Sequence, residues 1–215
     1  MSSDHSSLVD SLVRNIEPGR PGSVGGLTIV PLYGAAAVPE YRTMGDAVAA
    51  GELTIGELAN GTIPHLMVSN RGPLPVLIVE GQHLHGGRQN RILDSSVLVA
   101  AATETVIPVS CVERGRWGYS GQTQATLASE MAHPELRAMK SQQVARSVRT
   151  SANRRSDQSA IWADIERKRR LLSAGASRTG AMSDAYEHRR QDLKKVLGSF
   201  PRPLRGQCGV MAFAG

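Results

Sequence analysis

Short runs of Val, Ile and Leu occupy the first half of the chain, and Gly, Asn, Pro and Ser separate them. Short apolar runs separated by such turn-forming residues are typical of antiparallel strands. The predicted strands are "GGLTIVPLYG", "ELTIGEL", "IPHLMVSN", "LPVLIVEGQHLHG", "RILDSSVLVAAA" and "TETVIPVSCVERG". One short helix, "TMGDAVAAGEL", is expected to begin after Thr43 and to end at Gly51. Residues 24–120 are therefore expected to be rich in β-structure.

After Trp117 the apolar positions recur at helical intervals. Three helices are predicted within residues 125–200, in "HPELRAMKSQQVARSVRT", "SDQSAIWADIERKRRLLSAG" and "DAYEHRRQDLKKVLG". Ser156 is the expected N-cap of the second helix, and Asp184 with Glu187 forms a capping pattern in the third. "QCGVMAFAG" predicts a last strand at 207–214.

These elements predict an α+β fold. The first half would form a mostly antiparallel, meander-like or sandwich-like β unit, and the second half would be helical and basic. The final strand is expected to return to the sheet, which favours one domain over residues 23–215. Residues 1–22 are expected to form a short helix, with Leu8, Leu12 and Ile16 on one face, and a linker.

Charge is distributed unevenly along the chain. The net charge is +6, yet residues 134–205 hold 17 Lys and Arg against 7 Asp and Glu, a local net charge of +10. A basic surface attracts polyanions, but helices also carry such charges as ordinary solvated faces. Because aromatic residues do not interleave with the basic ones, nucleic acid is expected to bind only non-specifically.

The cellular location follows from what the chain lacks. The first residues have no secretory pattern, and no stretch approaches the ~20 apolar residues that span a bilayer. Cys111 and Cys208 form neither a close pair nor a metal-type spacing. We therefore expect a cytoplasmic protein without a membrane span, and a homo-oligomer is compatible with the sequence.

The densest polar stretch is "EGQHLHGGRQNR", residues 80–91. His83 and His85 would share one face of a strand, a spacing that allows both to reach one metal ion. No third ligand is evident, so the sequence predicts no stoichiometric metal, and any cofactor is unknown. The following turn, Arg88 to Arg91, offers guanidinium and amide groups suited to a phosphate or carboxylate. It would equally serve as a turn that ties loops together.

A second cluster is "IPVSCVERGRW", residues 107–117. Glu113 is expected to be partly buried and to need a cation from Arg91, Arg114 or Arg116, with Arg91 nearest in strand order. It would act either as a general base or, more commonly, in a structural ion pair. Cys111 lies among apolar residues, which disfavours a nucleophile. Trp117 would stack on a ligand or close the core.

At "GGRQNRILDSSVLV" and "IPVSCVERGRW" the chain resembles the ARG and Rhodanese-Phosphatase-superfamily-associated protein domain family. "LTIVPLYG", Gln158, Trp162, "SRTGAMSDAYE" and "GVMAFAG" extend the resemblance over roughly residues 26–215. It implies an α+β domain encoded near ADP-ribosylglycohydrolases, phosphatases and Band-7 proteins. A role in stress or in NAD- or ADP-ribose-linked metabolism is implied by that association alone.

Three classes of function are therefore carried forward, and whether the protein is an enzyme is left open. The preferred one is a binding domain for an anionic, nucleotide-like or ADP-ribose-like small molecule. The second is a hydrolase that uses Glu113 as general base or a weak metal site at His83 and His85. The third is a nucleic-acid-binding module that uses the basic helices. The expected ligand-binding residues are Arg88, Gln89, Asn90, Arg91, Cys111, Arg116 and Trp117.

Overall fold

The chain divides into two compact units, each described by itself: Met1–Pro39 with Arg189–Gly215, and Glu40–His188. The computed structural model describes residues 10, 13–34, 40–59, 61–119, 124–151 and 156–215. Leu8 and Leu12 of the predicted N-terminal helix lie outside the described residues. The single domain expected over residues 23–215 stays a prediction.

The first unit contains an antiparallel sheet in which β3 pairs with three other strands. β1 and the terminal β13 flank β3, and β2 pairs with it as well. The final strand thus pairs with a strand of the first half, as predicted. The elements of the first unit are β1 Glu17–Pro18, β2 Gly22–Val24, β3 Leu27–Tyr33, a helix at Arg190–Gly198 (α5) and β13 Gln207–Ala214.

The second unit begins with short strands and ends with helices. Its strands are β4 Arg42–Thr43, β5 Leu53–Glu57, β6 His65–Asn70, β7 Val76–Ile78, β8 Gln82–Gly86, β9 Arg91–Leu93, β10 Val97–Val99, β11 Thr103–Cys111 and β12 Ala125–Met131. Its helices are α1 Met44–Ala49, α2 Pro134–Ser151, α3 Gln158–Leu171 and α4 Met182–His188.

Two sheets organise the second unit. The larger has the strand order β12-β8-β9-β11-β6-β5 and is antiparallel throughout, while the smaller has the order β10-β7-β4. Among the described strands, only the β4–β7 pair is parallel. The predicted α+β class with mostly antiparallel strands is therefore confirmed.

Apolar side chains from one face of these strands form the main core of the second unit. Burial alternates along β6, where Leu66 and Val68 point inward. A second cluster lies where α2, α3 and α4 pack, and it includes Ile92, Leu136 and Ile161. Side chains of β8, β9 and β11 contribute to these clusters, and polar residues lie at the ends of the same strands.

The short helix α1 begins as the sequence predicts. The Thr43 side chain accepts a hydrogen bond from the Asp46 amide, and Gly51 follows the helix with φ at 70°. The predicted cap of α3 was wrong by one residue, because the Asp157 carboxylate, and not Ser156, accepts the first amides of that helix.

Four other segments differ from prediction. Residues 125–131, expected in the helical half, form β12, and "RILDSSVLVAAA" forms two strands, β9 and β10. The stretch read as one strand through residue 85 is split by a turn at Gly81, where φ is 78°, so His83 lies on a different strand from Leu77. The third predicted helix is two helices, α4 and α5, and Asp184 lies in the first turn of α4 rather than at its cap.

Candidate functional site

The two central sequence motifs lie side by side. The start of β9 pairs with the end of β11, so that Arg91 faces Cys111. The Gln89 amide donates to the Glu113 carbonyl at 3.0 Å, and the Asn90 backbone amide donates to Glu113 Oε2 at 3.1 Å. The turn after β8 and the end of β11 therefore form one polar cluster.

Arg116 is the cation that neutralises Glu113. Its Nη2 lies 2.7 Å from Glu113 Oε2, and its Nε donates to the same oxygen at 2.9 Å. The expectation that Arg91 would fill this role was wrong, because Arg116 follows Glu113 by three residues and reaches it within the turn. Burial alone would raise the pKa of Glu113, but the hydrogen bonds from Arg116 and Asn90 hold it below its ordinary value.

Arg91 has a different carboxylate nearby. Its Nη2 lies 4.0 Å from Glu57 Oε1, and its Nη1 donates to the Gln89 side chain at 3.0 Å. The Arg91 side chain is 1% exposed, and its Nε and Nη2 have no hydrogen-bond partner among the described residues. Burial lowers the pKa of Arg91, although the nearby Cys111 and Glu57 oppose this.

Four of the predicted ligand-binding residues are buried. Gln89, Asn90, Arg91 and Cys111 are buried, and their polar atoms largely bind one another or the backbone. Burial raises the pKa of the Cys111 thiol, which keeps it protonated and weakens it as a nucleophile. A role of these four residues in ligand binding stays a prediction.

Arg88, by contrast, is only partly buried and lies beside two exposed aromatic rings. Its guanidinium carbon lies 5.5 Å from the ring centroids of both Trp117 and Tyr119. Both rings are half exposed, so Trp117 does not close the core. Arg88 thus makes cation–π contacts with both rings, and the Arg91 guanidinium carbon lies 5.8 Å from the Trp117 ring centroid.

A glycine makes the turn before Arg88 possible. Gly87 has φ at 57°, and a Cβ there would lie 3.0 Å from Glu57 Oε1. The same carboxylate oxygen accepts the Arg88 amide at 2.9 Å. Glu57, on β5, thus fixes the turn through its Oε1. Its Oε2 has no hydrogen-bond partner among the described residues.

Beside this cluster lies a cleft of about 600 Å³, here called the polar cleft. Two segments of the chain approach each other closely at this cleft. The Gly115 amide donates to the Thr179 carbonyl at 2.7 Å, and a Cβ on Gly115 would lie 2.8 Å from Thr179 Cα. Arg178 is exposed and forms no ion pair with a described residue. The cleft is lined by His85, Gly86, Asn90, Glu113, Arg116, Thr126, Arg178, Thr179 and Asp184.

His85, which lines the polar cleft, belongs to a cluster of two histidines and a carboxylate. Glu130 Oε1, on β12, lies 3.1 Å from His83 Nδ1 and 2.9 Å from His85 Nε2, and these two nitrogens are 3.2 Å apart. His83 is fully buried, while the His85 side chain is 38% exposed. Burial lowers the pKa of His83, and the hydrogen bond from His83 lowers the pKa of Glu130 to about 2.

Sequence reasoning missed three of these groups. Glu130 follows His83 by 47 residues and reaches it only because β12 pairs with β8 across an irregular register. Glu57 and Arg178 are likewise brought in from distant segments. No local sequence pattern indicates a role for Glu57 or Glu130. Arg178, in contrast, lies in "SRTGAMSDAYE", one of the segments that carry the family resemblance.

Fold and site together define an α+β protein with a polar cleft in its second unit. The chain belongs to the ARG and Rhodanese-Phosphatase-superfamily-associated Protein domain family, whose sequence profile matches residues 15–215. No curated protein and no solved structure matches the chain. Within the described part of the chain, every helix is too short or too polar to cross a membrane.

Proposed function

We propose that the chain is a binding domain for an anionic small molecule of the nucleotide or ADP-ribose class, held in the polar cleft. The observation that carries this proposal is the exposed Arg178 guanidinium, which has no ion-pair partner among the described residues and shares the cleft with Arg116. Guanidinium groups suit phosphate and carboxylate oxygens because they donate in a planar fork. The cleft volume, about 600 Å³, is ordinary for a small-molecule site.

Two aromatic rings that do not line the polar cleft, but follow its residue Arg116 in the chain, would suit a ligand with a planar ring. Trp117 and Tyr119 are exposed beside Arg88 and follow Arg116 closely in the chain. Aromatic faces stack on bases without regard to base identity. The choice of ADP-ribose over other nucleotides rests on the gene associations implied by the family resemblance, and the same associations suggest a stress-linked setting.

Binding is favoured over hydrolysis by Glu113. Its Oε2 already accepts hydrogen bonds from Arg116 and from the Asn90 amide, and its pKa is held below the ordinary value. A carboxylate with a depressed pKa is a poor general base at neutral pH. Glu113 therefore supports Arg116 in its position rather than accepting a proton from a substrate.

Nucleic acid binding through the basic helices has less support. On α3, Arg167 pairs with Asp164, and both Arg169 and Arg170 pair with Glu166. Because these arginines are paired within the helix, less of their positive charge is available to bind the phosphates of a nucleic acid. Weak binding that falls steeply with salt stays the prediction for this surface.

Thermal unfolding with candidate ligands tests the proposal. ADP-ribose, ADP and inorganic pyrophosphate should raise the melting temperature, whereas neutral adenosine should not. A ligand present at 100 times its Kd adds about 2.7 kcal/mol to stability. Arg178→Ala should at least halve that stabilisation. Arg149→Ala, which deletes an exposed arginine on α2, should keep it.

Two outcomes would refute the proposal. One is the absence of any shift with all three phosphate compounds at millimolar concentration. The other is a shift of equal size in the wild-type chain and in Arg178→Ala, which would place the anion elsewhere.

A further inference from the structure

We infer that His83, His85 and Glu130 bind one divalent transition-metal ion beside the polar cleft. Among the described residues, these three form the one group of His, Cys, Asp and Glu side chains whose ligand atoms converge closely enough to hold an ion. The three ligand atoms lie on two paired strands, β8 and β12. The sequence singled out His83 and His85 but no third ligand, and it therefore predicted no stoichiometric metal; Glu130 of β12 supplies the missing ligand.

Hydrogen bonding alone does not explain the geometry of this cluster. Both histidine nitrogens lie within hydrogen-bond distance of Glu130 Oε1, so each would have to carry a proton to donate to it. The same two nitrogens lie 3.2 Å apart, a contact that is favourable only if one of them carries no proton. While Glu130 is ionised, no placement of protons satisfies all three contacts, whereas a cation between the three atoms satisfies them together.

The spacing also suits a metal. Ligand atoms around a tetrahedral ion with bonds of 2.0–2.1 Å lie about 3.3 Å apart, and the distances here are 2.9, 3.1 and 3.2 Å. Two imidazoles and one carboxylate suit zinc, iron(II) or manganese(II), whereas calcium and magnesium prefer oxygen ligands. The donor set therefore favours a first-row transition ion.

The place of the cluster connects the ion with the ligand of the cleft. His85 lines the polar cleft, so an ion bound to it is next to the space that a ligand would occupy. Without an ion, the charges of Arg116 and Arg178 are matched in number by Glu113 and Asp184. Two further positive charges would make the cleft attractive to an anion. This part of the inference rests on the proposed function.

Metal titration tests the inference with zinc or cobalt(II) as the probe and no anion present. The chain, dialysed against a chelator and then freed of it, should bind one ion in calorimetry. His85→Ala and Glu130→Gln should each weaken binding by at least about a hundredfold, because each removes a direct ligand. His85 is partly exposed and Gln is nearly isosteric with Glu, so both variants should fold, which circular dichroism checks.

Matched variants separate this site from casual binding at the surface. His188→Ala and Glu104→Gln change exposed residues of the same types elsewhere in the second unit, and they should bind the ion as tightly as the wild-type chain. Absence of one-to-one binding, or equal affinity in His85→Ala and the wild type, would overturn the inference. Because no anion is present, such a failure leaves the proposed anion binding to be judged by its own experiment.

Discussion

Replacing Lys140 with methionine is expected to lower the free energy of unfolding by about 3–5 kcal/mol. Lys140 is fully buried, and its Nζ lies 3.0 Å from Asp94 Oδ1 and donates to the Leu93 carbonyl. Methionine fills a similar volume but leaves the Asp94 carboxylate, itself 4% exposed, without its cation. The hydroxyl of Ser110 would remain as a donor to that carboxylate, and it does not supply the lost charge.

Chemical denaturation measures this effect. The double variant Lys140→Met, Asp94→Asn should lose less than the sum of the single losses, because both changes break the same pair. Lys168→Met, which breaks a surface pair with Glu135, should cost at most about 1 kcal/mol. A deficit as small for Lys140→Met would contradict a buried pair.

Replacing Arg116 with methionine is expected to cost about 3 kcal/mol, near the lower end for buried pairs because the Arg116 side chain is 16% exposed. The change leaves Glu113 charged and nearly buried. It also removes the donor that binds the carbonyls of Gly87 and Gly118 at 2.9 Å each. The turn before Arg88 and the segment carrying Trp117 would therefore lose the side chain that joins them.

The pH dependence of Arg116→Met has a definite sign. In the wild-type chain the pKa of Glu113 is depressed, so this group contributes stability above its ordinary pKa of 4.5 and loses that contribution as the pH falls. The variant lacks the cation, so its deficit should be largest at neutral pH and should shrink in acid. Urea unfolding at several pH values measures this. Arg170→Met, in an exposed pair with Glu166, should change stability little at any pH, and a matching result for Arg116→Met would be evidence against the ion pair.

Local patterns were enough to predict much of the fold. Thr43 could be recognised as a helix cap, and Val and Ile alternation located β6 and β11, because these signals depend on neighbours within a few residues. The burial of Glu113 also followed from its place on an apolar strand face. Errors arose where one turn decides the outcome, as at Gly81, since a single positive φ divides one apolar run into two strands.

The site was less predictable because its partners come from distant parts of the chain. Which carboxylate meets His83 depends on the register between β8 and β12, and that register is irregular between Leu127 and Met131. Sequence spacing likewise favoured Arg91 as the partner of Glu113, yet Arg91 extends toward Glu57 and Trp117. The cation that Glu113 meets instead is Arg116, three residues away in the same turn, so strand order alone does not decide which charges meet.

Calorimetric titration of ADP-ribose into the wild-type chain and into Arg178→Ala shows whether the polar cleft holds an anion. We expect one molecule bound per chain and an affinity at least about tenfold weaker in Arg178→Ala, since a hydrogen bond to a charged group contributes about 1.5–3 kcal/mol. Arg149→Ala should match the wild type. Binding of ADP-ribose with the same affinity to the wild type and to Arg178→Ala, or no binding of any phosphate compound, would contradict the claim that the polar cleft holds an anion.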